Sequence, residues 1–395
     1  MLNTSKKIYY YHIYREGYQR SIIRYTDADD LNNKMNLLNS NKDHKDIYKG
    51  VVSNSPNIVF VYSGMGSEWI GMGKELYHTN SIFKKCIEHV DAELKKHISW
   101  SLVEELLKDN NKNSITNAEF AQVANFAIQL GLTEMWKSIG VYPSAVIGHS
   151  YGEVMAFYTS GILSFSDAIK ITSVRGKYQK ALEGKGRMLV INDNLQEVIN
   201  VIKQYNQNVS VAAINSCNSI VISGGNTDIN YVHEKFLNKS TFLSVNVPYH
   251  SPLLKEIDEM LFKELESISY DRPIMPVFST VLGKQLDYSD LNASYTMRNS
   301  QQCVLFNSAI NDILNAGYYT FLEVGPHPVL LRYINEIMSD RNIQGTTFYS
   351  MRRGANEWKV FEKNLFELYC SGININWFNL NMKKFQLEYL SLIHI

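Results

Sequence analysis

Cysteine is scarce and scattered. The 395 residues hold four, Cys86, Cys217, Cys303 and Cys370, and none form a C-x-x-C pair. That excludes a compact disulfide framework and a thiolate zinc site, and it fits a reducing, cytosolic setting. An excess of one charge is also lacking: 39 lysines and arginines balance 39 acidic residues, so no basic surface is expected for coating nucleic acid. No run of eighteen apolar residues occurs, so no segment reads as membrane-spanning. The start, Met1 to Glu16, mixes Lys6, Lys7, His12 and Arg15 with tyrosines and lacks the apolar core of a secretory signal. Internal repeats and low-complexity linkers are missing as well. What is there suits a soluble globular protein with a large core: 45% hydrophobic, 12% aromatic and 20% charged residues. The length predicts two or three structural units.

Hydrophobic patterning gives the organisation. Residues 8–25 read as two β-rich segments broken at Glu16-Gly17. A helix follows, capped within Asp27–Asp30 and carrying Leu31, Met35, Leu37 and Leu38. A buried strand from Asn57 to Tyr62 runs into a glycine-rich loop, and helical patterning resumes after Gly73. Helical spacing fills 119–139, and Ser144 to Gly148 is another short buried strand. Strands separated by helices predict an α/β body with a parallel sheet. Residues 187–247 follow a different order: strand at Met188–Ile191, helix at Asn194–Tyr205, strands at Val209–Ile214 and Ser219–Ser223, helix at Thr227–Leu237, strand at Phe242–Val247. This β-α-β-β-α-β order is ferredoxin-like and predicts a small domain inserted in the body. Beyond it the pattern gives a helix over 253–267, a strand at Met275–Ser279, a helix around Val304–Ala316, a strand at Tyr319–Val324, a helix at Trp358–Tyr369 and an extended, exposed end.

The strongest chemical signal is Gly148-His149-Ser150-Tyr151-Gly152-Glu153 between a strand and a helix. This G-x-S-x-G turn presents a serine hydroxyl at the carboxyl edge of a sheet, with the Tyr151 amide aimed at a developing oxyanion. An idle serine in a glycine-rich turn is the bland alternative. A nucleophilic serine needs a base, and ten histidines are present. His250 follows the last strand assigned to the small domain and can face a cleft, His149 points to the far side of the turn, and His327 reads as a turn residue.

Several motifs in order resemble the malonyl-type acyltransferases of fatty-acid and polyketide synthesis, and within them the acyltransferase domains of modular polyketide synthases. They are Phe60-Val-Tyr-Ser-Gly-Met-Gly-Ser-Glu-Trp69, Ala121-Gln122 ahead of Trp136-Lys-Ser-Ile-Gly140, the serine turn, Arg175-Gly176, Val211-Ala-Ala-Ile-Asn215, Tyr249-His-Ser-Pro252 and Glu323-Val-Gly-Pro-His-Pro328. The resemblance runs from about Tyr10 to Trp377. It implies an α/β-hydrolase-like large subdomain (53–186 and 251–345) with the ferredoxin-like small subdomain (187–250). Residues 1–52 resemble a ketosynthase-to-acyltransferase linker and 346–395 a post-acyltransferase linker.

The resemblance also implies roles. Ser150 would be the nucleophile and His250 the base of a dyad without an acidic member, the histidine oriented by the backbone carbonyl of Gln302. The oxyanion hole would use the backbone N–H groups of Met65 and Tyr151, and Met65 stands where glutamine is commoner. Arg175 would pair with the free carboxylate of a malonyl group, its guanidinium fork fitting a planar carboxylate; a surface arginine is the alternative. Gln122 would line the pocket, and Tyr249 and Val247 lie at specificity positions, where an aromatic Tyr249 favours malonyl over methylmalonyl. Glu68, Cys303 and Leu305 depart from the usual glutamine, proline and arginine.

The expected activity is transfer of a malonyl-type unit from coenzyme A to the phosphopantetheine arm of an acyl carrier protein through an acyl-serine, in the cytoplasm. No bound cofactor or metal is expected. The partners would be the carrier protein, the acyl-CoA and an adjacent ketosynthase, with neither nucleic acid nor membrane. The rivals are an acyl-thioester hydrolase, a carrier-to-carrier shuttle and a non-catalytic docking scaffold.

Overall fold

A computed structural model describes residues 9–15, 19–52, 57–108, 117–204, 208–292 and 294–379. The break at Glu16-Gly17, the end of the helix expected to reach Tyr205, and the tail beyond 379 lie outside the described residues. The strands in chain order are β1 (Tyr9–Arg15), β2 (Gln19–Tyr25), β3 (Ile47–Val51), β4 (Ile58–Tyr62), β5 (Ala145–Gly148), β6 (Gly186–Ile191), β7 (Val209–Ser216), β8 (Ser219–Gly225), β9 (Ser240–Phe242), β10 (Val277–Ser279), β11 (Lys284–Gln285), β12 (Thr320–Val324) and β13 (Thr346–Tyr349).

Chain contacts divide the protein into two units. The first comprises Met1–Pro56, Met135–Tyr142 and Lys359–Ile395. Here β1, β2 and β3 form an antiparallel meander. The helix Ala28–Asn39 starts where the Asp27 side chain accepts the Asp30 N–H. Its Leu31, Met35 and Leu38 pack on Tyr11, Ile23 and Tyr25 of the sheet, the i, i+4, i+7 spacing that the sequence displays. Strand β3 was not anticipated, because it follows a long polar run and contains Lys49 and Gly50.

The second unit comprises Asn57–Glu134 and Pro143–Trp358. Its main sheet has the order β11-β10-β5-β4-β12-β13, parallel throughout except for the β10–β11 pair. Every residue of β4, β5 and β12 is buried, as expected of parallel strands covered on both faces. The small sheet, order β7-β8-β6-β9, is antiparallel. Alternation along β6 divides its residues between two cores. Leu189 and Ile191 join Val198, Ile229 and Val232 beneath the helices Leu195–Ile202 and Asn226–Lys235. Met188 and Val190 face the other way and join Ile147, Leu254, Val304 and Phe306 of the body. A bridge between Ala213 and Val304 ties the small sheet to the body. The fold is therefore α/β, with a mostly parallel central sheet and an antiparallel small domain.

Three expectations need correcting. The last strand of the small domain is Ser240–Phe242, not Phe242–Val247: the apolar–polar alternation of Leu243–Val247 looks strand-like, but Val247 and Tyr249 turn into the body core and Pro248 has no N–H for a ladder. The helices Tyr295–Gln301 and Leu331–Asp340 were not anticipated. Finally, β13 pairs with β12 in the main sheet, although it lies in the stretch read as a linker from 346. Among the described residues no helix is long and apolar enough to cross a membrane.

Candidate active site

Strand β5 ends at Gly148, and a 3-10 turn, Ser150–Gly152, leads into the helix Glu153–Thr159. The turn is too tight for side chains at its glycines. A Cβ on Gly148 would lie 2.2 Å from the Glu153 nitrogen, and one on Gly152 would lie 2.2 Å from the Tyr62 carbonyl oxygen. Between them Ser150 has φ +53°, a left-handed conformation that costs a non-glycine residue about 1–3 kcal/mol. Its Oγ lies 2.5 Å from Nε2 of His250.

His250 is itself left-handed, φ +56°. It follows a tight turn in which the Tyr249 N–H donates to the Val247 carbonyl, 2.9 Å, and Ser210 Oγ donates to the His250 carbonyl, 2.6 Å. The Nδ1 atom lies 2.8 Å from the carbonyl oxygen of Gln302, just past the helix Tyr295–Gln301. A carbonyl only accepts, so Nδ1 carries the proton and Nε2 is left to accept from Ser150. Burial, followed by the charge of Arg175, pushes the imidazole pKa down to about 3, so the resting ring is neutral. His149 is turned away, its Nε2 2.8 Å from Asn215 Oδ1 and its ring against Phe306. His327 accepts the Arg353 N–H, 3.2 Å.

The loop after β4 presses on the same turn: a Cβ on Gly64 would lie 2.7 Å from the His149 carbonyl oxygen and 3.4 Å from Ser150 Cβ. Met65 is the next residue, and its side chain packs against the body core. The loop is held from below by the helix Ala118–Ser138, where Asn125 Nδ2 donates to the Gly64 carbonyl (3.0 Å) and Gln129 Nε2 to the Ser63 carbonyl (2.8 Å). Gln122, on the same helix, donates to Gln179 Oε1 (2.6 Å), and its carbonyl accepts the Tyr151 hydroxyl (2.8 Å).

Arg175 lies on the helix Phe165–Gln179 and is 2% exposed, so it is no surface arginine. Its Cζ sits 5.5 Å from the Tyr151 ring centroid. No carboxylate lies within ion-pairing distance among the described residues. Instead Nη1 donates to Asn299 Oδ1 (2.6 Å), and Nε is buried without a partner. Asn299 in turn donates to the Ser150 carbonyl (3.0 Å) and to Glu153 Oε2 (2.9 Å). Glu153 also accepts the Thr280 N–H and hydroxyl and the Tyr295 hydroxyl. A buried cation without a directly bonded anion is costly; the acid that acts on Arg175 is Glu153, across the shared Asn299. Tyr249 is buried in the same region, its hydroxyl pKa raised first by burial and then by the nearby charge of Glu68. Val247 is buried in the body core.

Asn299, Asn125 and Gln129 were not singled out from the sequence, and Glu153 was named only as the end of the serine-turn motif. One signal was available: Gln122, Asn125, Gln129 and Thr133 form a polar stripe along an otherwise apolar buried helix. Among the described residues one group, Cys217, Glu336 and Asp340, brings possible metal-ligand atoms within 4.8 Å of one another. Cys217 there donates to Asp340 (2.8 Å), a bond that, with burial, pushes the thiol pKa up to about 11. No buried orphan points into this surface group, and no metal is assigned to it.

The sequence model of the acyl transferase domain family matches residues 59–375. The chain belongs to that family. It is 32% identical over 343 residues to a probable polyketide synthase 1 from Dictyostelium discoideum, covering 82% of this chain and 11% of that protein. The chain thus spans about a tenth of the length of this relative. Among solved structures it resembles the acyltransferase domain from module 8 of the salinomycin polyketide synthase (27% identity, TM-score 0.86, 93% of this chain and 88% of that one). It also resembles the malonyl CoA-acyl carrier protein transacylase from Clostridium perfringens (27% identity, TM-score 0.70, 79% and 97%). The chain is accordingly an acyltransferase domain of the type found in polyketide synthases, as its motifs indicated.

Proposed function

We propose that this acyltransferase domain loads a malonyl-type unit from coenzyme A onto the phosphopantetheine arm of an acyl carrier protein, through an acyl-serine at Ser150. The observation that carries the substrate class is Arg175, a buried guanidinium without a directly bonded carboxylate, which shares Asn299 with the backbone carbonyl of Ser150. In the first half-reaction Ser150 passes its proton to His250 Nε2 as Oγ attacks the thioester carbonyl. The Met65 and Tyr151 amides receive the developing oxyanion. Collapse breaks the carbon–sulfur bond, and the imidazolium returns its proton to the departing thiolate. In the second, His250 takes a proton from the carrier thiol as its sulfur attacks the acyl-serine; the Oγ–acyl bond breaks and the imidazolium returns the proton to Ser150 Oγ. The long synthases that the chain partly matches favour work in the cytoplasm as one domain of such an assembly, with 1–52 and the residues after β13 as segments linking it to neighbours that include a ketosynthase. Incubation with a panel of acyl-CoAs followed by intact-protein mass spectrometry tests the reading: a malonyl-sized adduct on Ser150 is expected, and an adduct only from uncarboxylated donors would overturn it.

Arg175→Ala removes one side of the expected buried pair, a loss of about 3–5 kcal/mol. Malonyl loading is expected to fall roughly 10²–10⁴-fold, while acetyl loading holds or improves. Equal losses with both donors would make Arg175 structural.

Tyr151, whose ring lies 5.5 Å from Arg175 Cζ, and Tyr249 are both buried, and a branch at C2 is expected to collide with them. Wild type should prefer malonyl-CoA to methylmalonyl-CoA, and Tyr249→Ser should narrow the preference. One methyl group is worth about 1–3 kcal/mol, a change of roughly 10- to 200-fold at most. Competition assays decide it: a wild type preferring the branched donor would remove Tyr249 as the gate.

A further inference from the structure

An N–H group can receive an oxyanion only if its peptide plane is turned the right way, and both planes that flank Met65 are pinned by side chains. The Gly64–Met65 plane is held by its carbonyl: Asn125 Nδ2 donates to the Gly64 oxygen at 3.0 Å. In a planar trans peptide the C=O and the N–H point opposite ways. With the carbonyl drawn toward the helix Ala118–Ser138, the Met65 N–H is therefore aimed away from that helix, and it meets no acceptor among the described residues. The plane lies against the nucleophile, since a Cβ on Gly64 would be 3.4 Å from Ser150 Cβ. The Met65–Gly66 plane is held by its N–H, which donates to Glu68 Oε2 at 2.7 Å. Behind it Arg353 Nη2 donates to the Glu68 carbonyl (2.7 Å) and Trp69 Nε1 to the Pro326 carbonyl (2.9 Å). The loop cannot keep these directions unaided: Gly66, Gly71 and Gly73 have φ of +108°, +88° and +74°, and glycine backbone is permissive.

We propose that Asn125 is a positioning residue for acyl transfer: it turns the Gly64–Met65 peptide so that the Met65 N–H faces the oxyanion formed on the thioester carbonyl. The inference rests on the reading of Met65 as an oxyanion donor. Asn125 touches no reacting atom and acts through one backbone carbonyl. That carbonyl only accepts, so the amide is oriented with Nδ2 toward Gly64. The side chain is fully buried, and its Oδ1 has no hydrogen-bond partner among the described residues. One bond made and one oxygen left bare contribute little to the fold, so the amide's weight falls on the loop it steers. Two consequences separate this role from that of Arg175. The oxyanion is the same whatever acyl group is attached, so malonyl and acetyl transfer depend on Asn125 equally. The carbonyl is uncharged before attack, so donor binding is spared while the transition state is not.

Asn125→Leu keeps the volume and removes the donor. Rapid-quench measurement of acyl-enzyme formation should show a fall on the order of 10²-fold with malonyl-CoA and acetyl-CoA alike, the cost of a misplaced oxyanion donor. Calorimetry in the Ser150→Ala background, with and without Asn125→Leu, should give unchanged affinity for both donors. Asn125→Asp, nearly the same shape, keeps the test open if the leucine variant does not fold. Its protonated carboxyl can donate to the Gly64 carbonyl and its ionised form cannot, so acylation should be low at about pH 8 and recover toward the wild-type rate as pH falls to about 5. The same histidine serves both proteins, so a difference in profile belongs to position 125. Unchanged acylation in Asn125→Leu, an Asn125→Asp profile parallel to wild type, a loss confined to malonyl-CoA, or a fall in donor affinity as large as the fall in rate overturns the role of Asn125 and leaves the proposed function standing. A wild type that forms no acyl-enzyme overturns both.

Discussion

Ser150→Ala is expected to give a folded protein that retains no acyl group after incubation with any acyl-CoA. The substitution removes a single oxygen. Cβ stays, so the contact of Gly64 against the turn is unchanged, and alanine occupies the left-handed position as serine does. Nothing else in the turn depends on the hydroxyl: Asn299 is bonded to the Ser150 carbonyl, and that bond survives. The loss of a serine nucleophile lowers turnover on the order of 10⁶-fold, which puts acylation below detection. Intact mass and a thermal melt check it together. An adduct persisting in this variant would sink the acyl-serine mechanism, and a collapsed melting temperature would show that the oxygen serves the fold.

His250→Ala comes next in size. Loss of a general base is expected to slow acylation by roughly 10²–10⁴-fold, with the proposed oxyanion donors, the Met65 and Tyr151 amides, left in place. The environment of His250 makes a sharper statement as well. Burial and Arg175 hold its pKa near 3, so the ring is unprotonated well below the ordinary histidine value of about 6.5. Acylation of wild type by acetyl-CoA should therefore stay level as pH falls through 6.5. Rapid-quench measurement of acyl-enzyme formation reads both effects. Unchanged acylation in the variant, or an acid limb centred at 6.5, would move the base elsewhere.

Legibility in the sequence followed the kind of signal each element needs. Strands β4 and β5 are short apolar runs, and such runs announce themselves; β12 reads as a strand through Phe321, Leu322 and Val324 although it also buries Thr320 and Glu323. The serine turn was equally legible, because two glycines at fixed spacing are a backbone requirement written in residue identity. Leu243–Val247 misled for a related reason: alternation is the mark of a half-buried strand, yet here it marks a loop in which Val247 is buried in the body core, Val245 packs partly against it and Leu243 is exposed. The helix Tyr295–Gln301 has no apolar stripe; five of its seven residues are buried, among them Thr296, Asn299 and Ser300, and polar partners from elsewhere in the chain satisfy them. Asn299 joins Arg175, Ser150 and Glu153 only in three dimensions. The Gln302 carbonyl has no side-chain signature at all and could be named only through resemblance. Arg175 was recognised by motif, but its missing anion is visible only once burial and partners are known.

The left-handed backbone at both Ser150 and His250 has a consequence for engineering. Glycine is the residue that relaxes such positions, so a selection blind to chemistry would drift toward it at two sites 100 residues apart in sequence. Serine and histidine persist there at a combined cost of about 2–6 kcal/mol, a large share of the 5–15 kcal/mol that typically separates folded from unfolded chains. Thermostabilising libraries that score melting temperature alone would therefore enrich for inactive variants at these two positions. Any hardening of this scaffold should be sought in the β1–β3 meander and in the outer core of the small domain around Val198, Ile229 and Val232, away from β7, whose Ser210 holds the His250 carbonyl.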